Sequence, residues 1–111
     1  MKTLTEQEAI NEKVTGTLKG YINASYYELV DILGEPTFKT EGGYKINFEW
    51  VVSYKGRIYY VYDWKVYANE SLTDHNFKWN VGSDKTAAQF ILALHKELNK
   101  RIREQIESEQ E

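Results

Sequence analysis

Two runs of aromatic and β-branched residues around a short turn dominate the pattern of apolar and polar positions along the chain. They occupy residues 44–67, which read YKINFEWVVSYKGRIYYVYDWKVY, and the turn between them is Lys55-Gly56-Arg57. Runs of this composition fit a pleated, half-buried surface, and a short connection that contains glycine is typical of a β-hairpin. The pattern therefore predicts a hairpin at the centre of a sheet.

The pairing register of this hairpin is predicted by asking which register gathers the large rings on one face. A two-residue loop at Lys55-Gly56 would pair Phe48 with Asp63 and mix polar with apolar groups on both faces. A bulged three-residue loop shifts the pairing by one residue, which moves every side chain to the other face. This second register would also place Glu49 directly opposite Asp63, an unfavourable pair unless a cation lies nearby. We expect the second register, whose apolar pairs are Ile46/Val66, Phe48/Trp64, Trp50/Tyr62, Val52/Tyr60 and Tyr54/Ile58.

Helix signals lie on both sides of the hairpin. Ser25 and Glu28 form an S-x-x-E capping box, which predicts a short helix over about 26–33. Ser83 or Asp84 is expected to cap a second, long helix near the C-terminus. The apolar stripe of that helix, at helical spacing, is Ala87, Phe90, Ile91, Leu94, Leu98 and Ile102.

The order of the elements predicts the fold class. Alternating residues at 14–22 and 77–81 predict two further strands, so the order is strand, helix, strand, strand, strand, helix. Runs of strands with segregated helices indicate an α+β domain with a small antiparallel sheet, and the long C-terminal helix should pack across one face. We expect residues 1–13 to form a tail or short helix, 14–103 a single α+β domain, and 104–111 a charged, frayed tail.

Composition narrows the classes of function. The 111 residues suffice for one hydrophobic core, and the net charge of −3 does not indicate general nucleic-acid binding. The chain has no cysteine, which excludes disulfide scaffolds and thiol nucleophiles, and no apolar run approaches the length of a membrane span. We therefore expect a cytoplasmic protein with no membrane partner, no metal and no cofactor.

Glu49, Asp63 and Lys65 form the one group of residues that resembles an active site. Two acids on adjacent strands, followed by D-x-K, resemble the core of restriction-type nucleases, in which acids hold Mg²⁺ and a lysine assists the attacking water. The order of elements after D-x-K differs from the order in that family, however. The chain also lacks the excess of basic residues needed to bind phosphates. The histidines, His75 and His95, are expected on the surface without a third metal ligand. We expect no catalytic residues and a polar outer face whose acids are neutralised by lysines.

Tyrosine is more abundant than a single buried sheet face requires. The chain has nine tyrosines and three tryptophans, residue types that anchor interfaces because they combine contact area with a polar group. We therefore expect a partner-binding surface, and its candidate residues are Glu49, Asp63, Lys65, Tyr59, Tyr67, Tyr26 and Tyr27.

Four short motifs indicate a biological setting. They are G-E-P-T at 34–37, Y-K-x-x-x-E-W at 44–50, Y-D-W-K at 62–65 and W-x-V-G at 79–82. This combination resembles a type of short protein encoded by bacteriophages and prophages, and the resemblance covers most of the chain. It implies a small accessory protein that acts against host machinery, either by inhibiting CRISPR nucleases or by sequestering the nucleotide signals of other defence systems.

Three functions follow from these observations. The leading hypothesis is an anti-CRISPR-like inhibitor that binds a host defence protein stoichiometrically, such as a nucleic-acid-binding effector; a homo-oligomer is also possible. An acidic inhibitor suits the basic cleft of such an effector. The alternatives are a protein that sequesters a small nucleotide signal and a Mg²⁺-dependent restriction-type nuclease.

Overall fold

The secondary structure confirms the predicted α+β class. The structure, a computed structural model, describes residues 1–12, 16–40, 45–64 and 77–109. The elements within these ranges are, in chain order, β1 (Lys2–Thr3), α1 (Glu6–Glu12), β2 (Thr17–Asn23), α2 (Tyr26–Leu33), β3 (Phe38–Lys39), β4 (Phe48–Tyr54), β5 (Arg57–Tyr62), β6 (Lys78–Ser83) and α3 (Ala88–Glu109).

All six strands form one antiparallel sheet. Its order is β1-β4-β5-β6-β2, and β3 also pairs with β4. The long helix α3 packs against the sheet, in contact with β2, as predicted. The strands predicted at 14–22 and 77–81 correspond to β2 and β6, although residues 14 and 15 lie outside the described residues.

The turn of the β4–β5 hairpin differs from the prediction. Lys55 and Gly56 form a two-residue loop, because Tyr54 pairs with Arg57. Their φ angles are +50° and +77°, and positive φ at both central positions is the mark of a type I′ turn. The twist of such a turn matches that of the flanking strands, so it favours a hairpin without a bulge. The expected three-residue loop is therefore wrong.

The change of register removes three rings from the expected core. Val51 pairs with Tyr60 and Glu49 pairs with Tyr62 instead of Asp63, which places both tyrosines on the face away from the core, and Trp64 has 47% of its surface exposed. The predicted register treated burial of Asp63 as a cost. Asp63 is 1% exposed, but backbone N–H groups at the start of β4 satisfy its carboxylate, so the cost is small.

The core lies between the sheet and the helices α2 and α3. Trp50 and Trp79 are fully buried, and their rings meet edge to face with centroids 5.3 Å apart. Each indole N–H donates to a backbone carbonyl, that of Trp50 to Gly34 at 2.8 Å and that of Trp79 to Ala24 at 2.9 Å. Other buried side chains of this core are Ile22, Leu29, Leu33, Val52, Tyr59, Val61, Val81, Ala87, Phe90, Leu94 and Leu98.

The apolar stripe of α3 is largely as predicted, whereas its start is not. Ile102 is 48% exposed, so the stripe contacts the core only up to the preceding turn. The helix begins at Ala88, and Ser83 belongs to β6, where its hydroxyl donates to the carbonyl of Ile58 at 3.1 Å. The expected cap at Ser83 or Asp84 is therefore wrong.

One edge of β4 is shared by two short strands. β1 pairs with residues 52–53 and β3 with residues 48–49. Between them, the Thr37 hydroxyl accepts a hydrogen bond from the Val51 N–H at 3.0 Å and donates to the Leu4 carbonyl at 2.8 Å. The Leu4 N–H in turn donates to the Val51 carbonyl at 2.8 Å. The hydroxyl thus bridges the gap between the two strands.

Regular structure extends beyond both predicted domain boundaries. Leu4 is buried, and α3 continues to Glu109, with exposed side chains at residues 102–108. The division at residues 13 and 103 stays a prediction. No helix in the described part of the chain is long and apolar enough to cross a membrane.

The cap of α2 is the predicted one. The Ser25 hydroxyl accepts a hydrogen bond from the Glu28 N–H at 3.1 Å, and the Glu28 carboxylate accepts one from the Ser25 N–H at 2.8 Å. We expect Ser25→Ala to lower the free energy of unfolding by about 1 kcal/mol, because a helix N–H loses its acceptor. Urea unfolding measures this, with Ser108→Ala on the exposed end of α3 as the control. A Ser25→Ala curve that superimposes on the parent would contradict the prediction.

Candidate functional site

The sheet face opposite the core carries a row of tyrosines and a carboxylate. Tyr60 on β5 pairs with Gly82 on β6, and both positions lie on this face. The neighbouring row, set by the pairing of four strands, is Tyr21, Asn80, Tyr62 and Glu49. We call this surface the tyrosine face. Neither α2 nor α3 covers it, because both pack on the other side with the core.

Residues between β1 and β2 approach the tyrosine face. A Cβ atom at Gly16 would lie 3.1 Å from Cε2 of Tyr60, a contact tight enough that a larger residue would require the ring or the backbone to shift. Glu12, at the end of α1, is near enough for its charge to act on the Tyr60 hydroxyl. Gly16 and the end of α1 therefore lie beside Tyr60.

A cavity of about 280 Å³ opens on the tyrosine face. Three aromatic side chains and one carboxylate border this small volume, a composition suited to a flat or cationic group. We call it the tyrosine-face pocket, and its lining residues are Gly16, Ile46, Glu49, Tyr60, Tyr62, Trp64 and Gly82.

Burial and negative charge act together on the groups of this pocket. Burial, and secondarily the charge of Asp63, raises the pKa of Glu49 above its ordinary value of 4.5. Burial also raises the pKa of Tyr60, and the charges that add to this effect are those of Glu49, Asp84 and Glu12. The pocket therefore concentrates negative charge at a site that is partly shielded from water.

The raised pKa of Glu49 predicts a pH-dependent cost to folding. A carboxyl whose folded-state pKa is raised contributes stability below its unfolded pKa and loses it as the pH rises through the folded pKa. We therefore expect Glu49→Gln to raise the free energy of unfolding at neutral pH, and the difference to vanish at about pH 4.

Urea unfolding at the two pH values measures this effect. Glu104→Gln, at an exposed position of α3, is the matched control and should show neither change. A Glu49→Gln variant that unfolds at a lower urea concentration than the parent at neutral pH would contradict the prediction.

Asp63 stabilises the start of β4. Its carboxylate accepts hydrogen bonds from the Phe48 N–H at 2.7 Å, the Asn47 N–H at 2.9 Å and the Asn47 side-chain amide at 2.8 Å. Both of its oxygens are used in these bonds, and the residue is buried. The expectation that Asp63 belongs to an exposed partner surface therefore does not fit its position.

The nuclease-like group does not assemble as the sequence suggested. The expected pairing of Glu49 directly opposite Asp63 is wrong, and Lys65 lies outside the described residues, as does His75. His95 is exposed on α3. Within the described ranges, no group of three or more His, Cys, Asp or Glu residues could hold a metal ion. Mg²⁺-dependent cleavage of DNA or RNA that Glu49→Gln abolishes would revive the nuclease hypothesis.

The predicted partner-binding tyrosines lie in different environments. Tyr59 is buried and stacks on a phenylalanine of α3 with centroids 4.4 Å apart, which corrects the expectation that its ring faces a partner. Tyr26 is half-buried and packs against the core, whereas Tyr27 is exposed. Lys65 and Tyr67 lie outside the described residues. Of the five candidates within the described ranges, only Glu49 lines the tyrosine-face pocket.

The prediction missed Tyr60, Tyr62 and Trp64 as site residues. The bulged register places all three on the buried face and so predicts them as core residues. The signal that would have found them is the Lys55-Gly56 dipeptide, which can form a two-residue turn and places all three on the outer face.

Comparison with known proteins finds no matching family model, no matching curated protein and no matching solved structure. What the site does is therefore inferred from the geometry of this chain.

Proposed function

We propose that the protein binds a host defence protein stoichiometrically and inhibits it, in the manner of an anti-CRISPR accessory protein of a phage. The observation that carries the proposal is the tyrosine-face pocket, in which three aromatic rings and a carboxylate meet on a sheet face that α2 and α3 leave uncovered. Aromatic residues in concave, partly desolvated places are typical anchors of protein interfaces. The net charge of −3 favours a basic partner, such as a nucleic-acid-binding effector.

The position of the rings supports a rigid binding surface. Tyr60 and Tyr62 lie on β5, which is hydrogen-bonded to a strand on each side. A Cβ atom at Gly82 would lie 3.5 Å from Cε1 of Tyr62, so the ring rests close to the neighbouring strand. Side chains held in this way lose little freedom on binding, which lowers the entropic cost of association.

The proposal is tested first by phage plating. The protein is produced in bacterial strains that each carry one defence system, and we expect it to restore plaque formation in at least one strain. The double variant Tyr62→Ala/Trp64→Ala should lose this effect, whereas Tyr27→Ala, an exposed tyrosine away from the pocket, should retain it.

A titration of the purified effector then tests the stoichiometry. Inhibition by a binding protein should saturate when the two proteins are equimolar. Inhibition by a small fraction of an equivalent would indicate an enzyme, and failure to restore plaque formation in any strain would contradict the proposal.

A second candidate function is sequestration of a small nucleotide. The observation in its favour is the same group of rings, because Tyr60, Tyr62 and Trp64 border a volume of about 280 Å³ and every base can stack on an aromatic ring. Native mass spectrometry of the protein purified from infected cells tests it. A nucleotide retained by the parent and lost from Tyr62→Ala/Trp64→Ala would favour sequestration.

A further inference from the structure

The Glu49 carboxylate lines the tyrosine-face pocket, and within the described ranges no cation lies beside it. Burial and the charge of Asp63 act on it, and no residue in those ranges donates a hydrogen bond to it or forms an ion pair with it. A partly desolvated carboxylate within range of another negative charge is stabilised when a positive group enters its surroundings. A cation in the pocket would therefore stabilise the Glu49 carboxylate more than water does.

The rings of the tyrosine face already attract cations from the chain itself. The Nζ atom of Lys78 lies 4.1 Å from the ring centroid of Tyr21, and that of Lys45 lies 6.0 Å from the ring centroid of Trp64. A cation within about 6 Å of an aromatic ring face gains electrostatic energy from the ring quadrupole. The face thus combines two features that recognise positive groups, a carboxylate and accessible rings.

We propose that the tyrosine-face pocket binds a basic side chain of the partner protein, and that an arginine guanidinium is the group it takes best. This inference rests on the proposed function and names the chemistry of the partner. A guanidinium is planar, stacks on aromatic rings and offers paired N–H donors to a carboxylate. An ammonium forms the ion pair but cannot stack, so arginine is preferred over lysine.

The charges around the pocket disfavour a ligand that carries phosphate. The carboxylates of Glu12, Glu49 and Asp84 act on Tyr60, and Asp63 acts on Glu49. At the ionic strength of a cell, charges within about 8 Å interact with little screening, so a phosphate at the pocket would be repelled. Lys45, beside Trp64, carries the opposite charge and competes with a cationic ligand.

An NMR titration tests the inference on the purified protein, before the partner is identified. The indole N–H signal of Trp64 is followed while N-acetyl-arginine amide is added, and N-acetyl-citrulline amide is the matched probe because it has the same shape but no charge. We expect the arginine probe to shift the signal with a Kd of about 1–10 mM, in the range of a single-residue ligand, and the citrulline probe to leave it unchanged.

Three variants assign the binding to the pocket. Glu49→Gln should weaken binding of the arginine probe about tenfold, whereas Glu104→Gln on α3 should leave it unchanged. Lys45→Gln should strengthen binding of the arginine probe, because a competing positive charge is removed. The same substitution would weaken a phosphate ligand, so guanosine monophosphate is titrated in parallel.

Three results would overturn the inference. They are equal shifts with the arginine and citrulline probes, tighter binding of guanosine monophosphate than of the arginine probe, and binding that Glu49→Gln leaves intact. Unchanged indole signals of Trp50 and Trp79 verify that a variant is folded. If Glu49→Gln fails this check, Trp64→Ala replaces it, and loss of the arginine-specific shifts in the Tyr60 and Tyr62 ring signals is then the expected result.

The two proposals fail separately. If the arginine probe does not bind but the protein still neutralises a defence system at equimolar amounts, the inference about the cation is wrong and the proposed function stands. If the probe binds as expected but no defence system is affected, the proposed function is wrong and the cation site stands.

Discussion

Replacing Trp50 with alanine is expected to lower the free energy of unfolding by about 3–5 kcal/mol, the usual range for emptying a large aromatic site. Trp50 is fully buried, and its ring meets that of Trp79 edge to face. Its indole N–H also donates to the Gly34 carbonyl, which terminates α2. The substitution therefore creates a cavity, removes an aromatic pair and leaves one carbonyl without its donor.

Trp64→Ala is the matched control for this prediction. It removes the same type of side chain from the segment that follows β5, but the Trp64 ring is about half exposed, so we expect a loss of less than about 1 kcal/mol. Urea unfolding followed by circular dichroism measures both variants. If Trp64→Ala is as destabilising as Trp50→Ala, the two-residue hairpin register is contradicted.

The second large effect is expected at Asp63. Replacing it with alanine should lower the free energy of unfolding by about 3 kcal/mol or more, because each buried donor without an acceptor costs about 1–3 kcal/mol. The donors in question are the backbone N–H groups of Asn47 and Phe48, at 2.9 and 2.7 Å from the carboxylate. Asp63→Asn keeps one oxygen acceptor, so its loss should be intermediate.

Asp31→Ala provides the control for Asp63→Ala. Asp31 is an exposed carboxylate that pairs with Arg101, and surface ion pairs contribute about 1 kcal/mol or less. Amide hydrogen exchange adds a local measurement, because the Asn47 and Phe48 amides should exchange faster in Asp63→Ala alone. Equal losses of stability in the two variants would show that the buried hydrogen bonds of Asp63 contribute little.

The elements that local rules determine could be predicted from the sequence. The Ser25 cap and the short helix after it follow from a contact between residues three apart, and the α3 stripe follows from helical spacing. The α+β class follows from the order of such elements. The strands β1 and β3 could not be predicted, since a pattern of two residues is too short to recognise.

The candidate site was not predicted because the pairing register of the hairpin is inferred from the grouping of its large rings and not from its turn. The local Lys55-Gly56 dipeptide favours the two-residue loop, and donors 15 and 16 residues away from Asp63 make the burial of its carboxylate favourable in that register. The error in register moved Tyr60, Tyr62 and Trp64 to the wrong face. Glu49 was found because its place on the outer face is the same in both registers.

The division of one sheet edge between β1 and β3 has a consequence for aggregation. An exposed strand edge offers unpaired N–H and C=O groups that recruit strands from other molecules and lead to amyloid-like association. At the β4 edge, each outer strand has only two residues, with the Thr37 hydroxyl between them. At the opposite edge, a register shift between Leu18 and Gly20 interrupts β2. Neither edge of the described sheet therefore offers a long regular template, so we expect edge-to-edge pairing of this aromatic-rich hairpin with other molecules to be disfavoured.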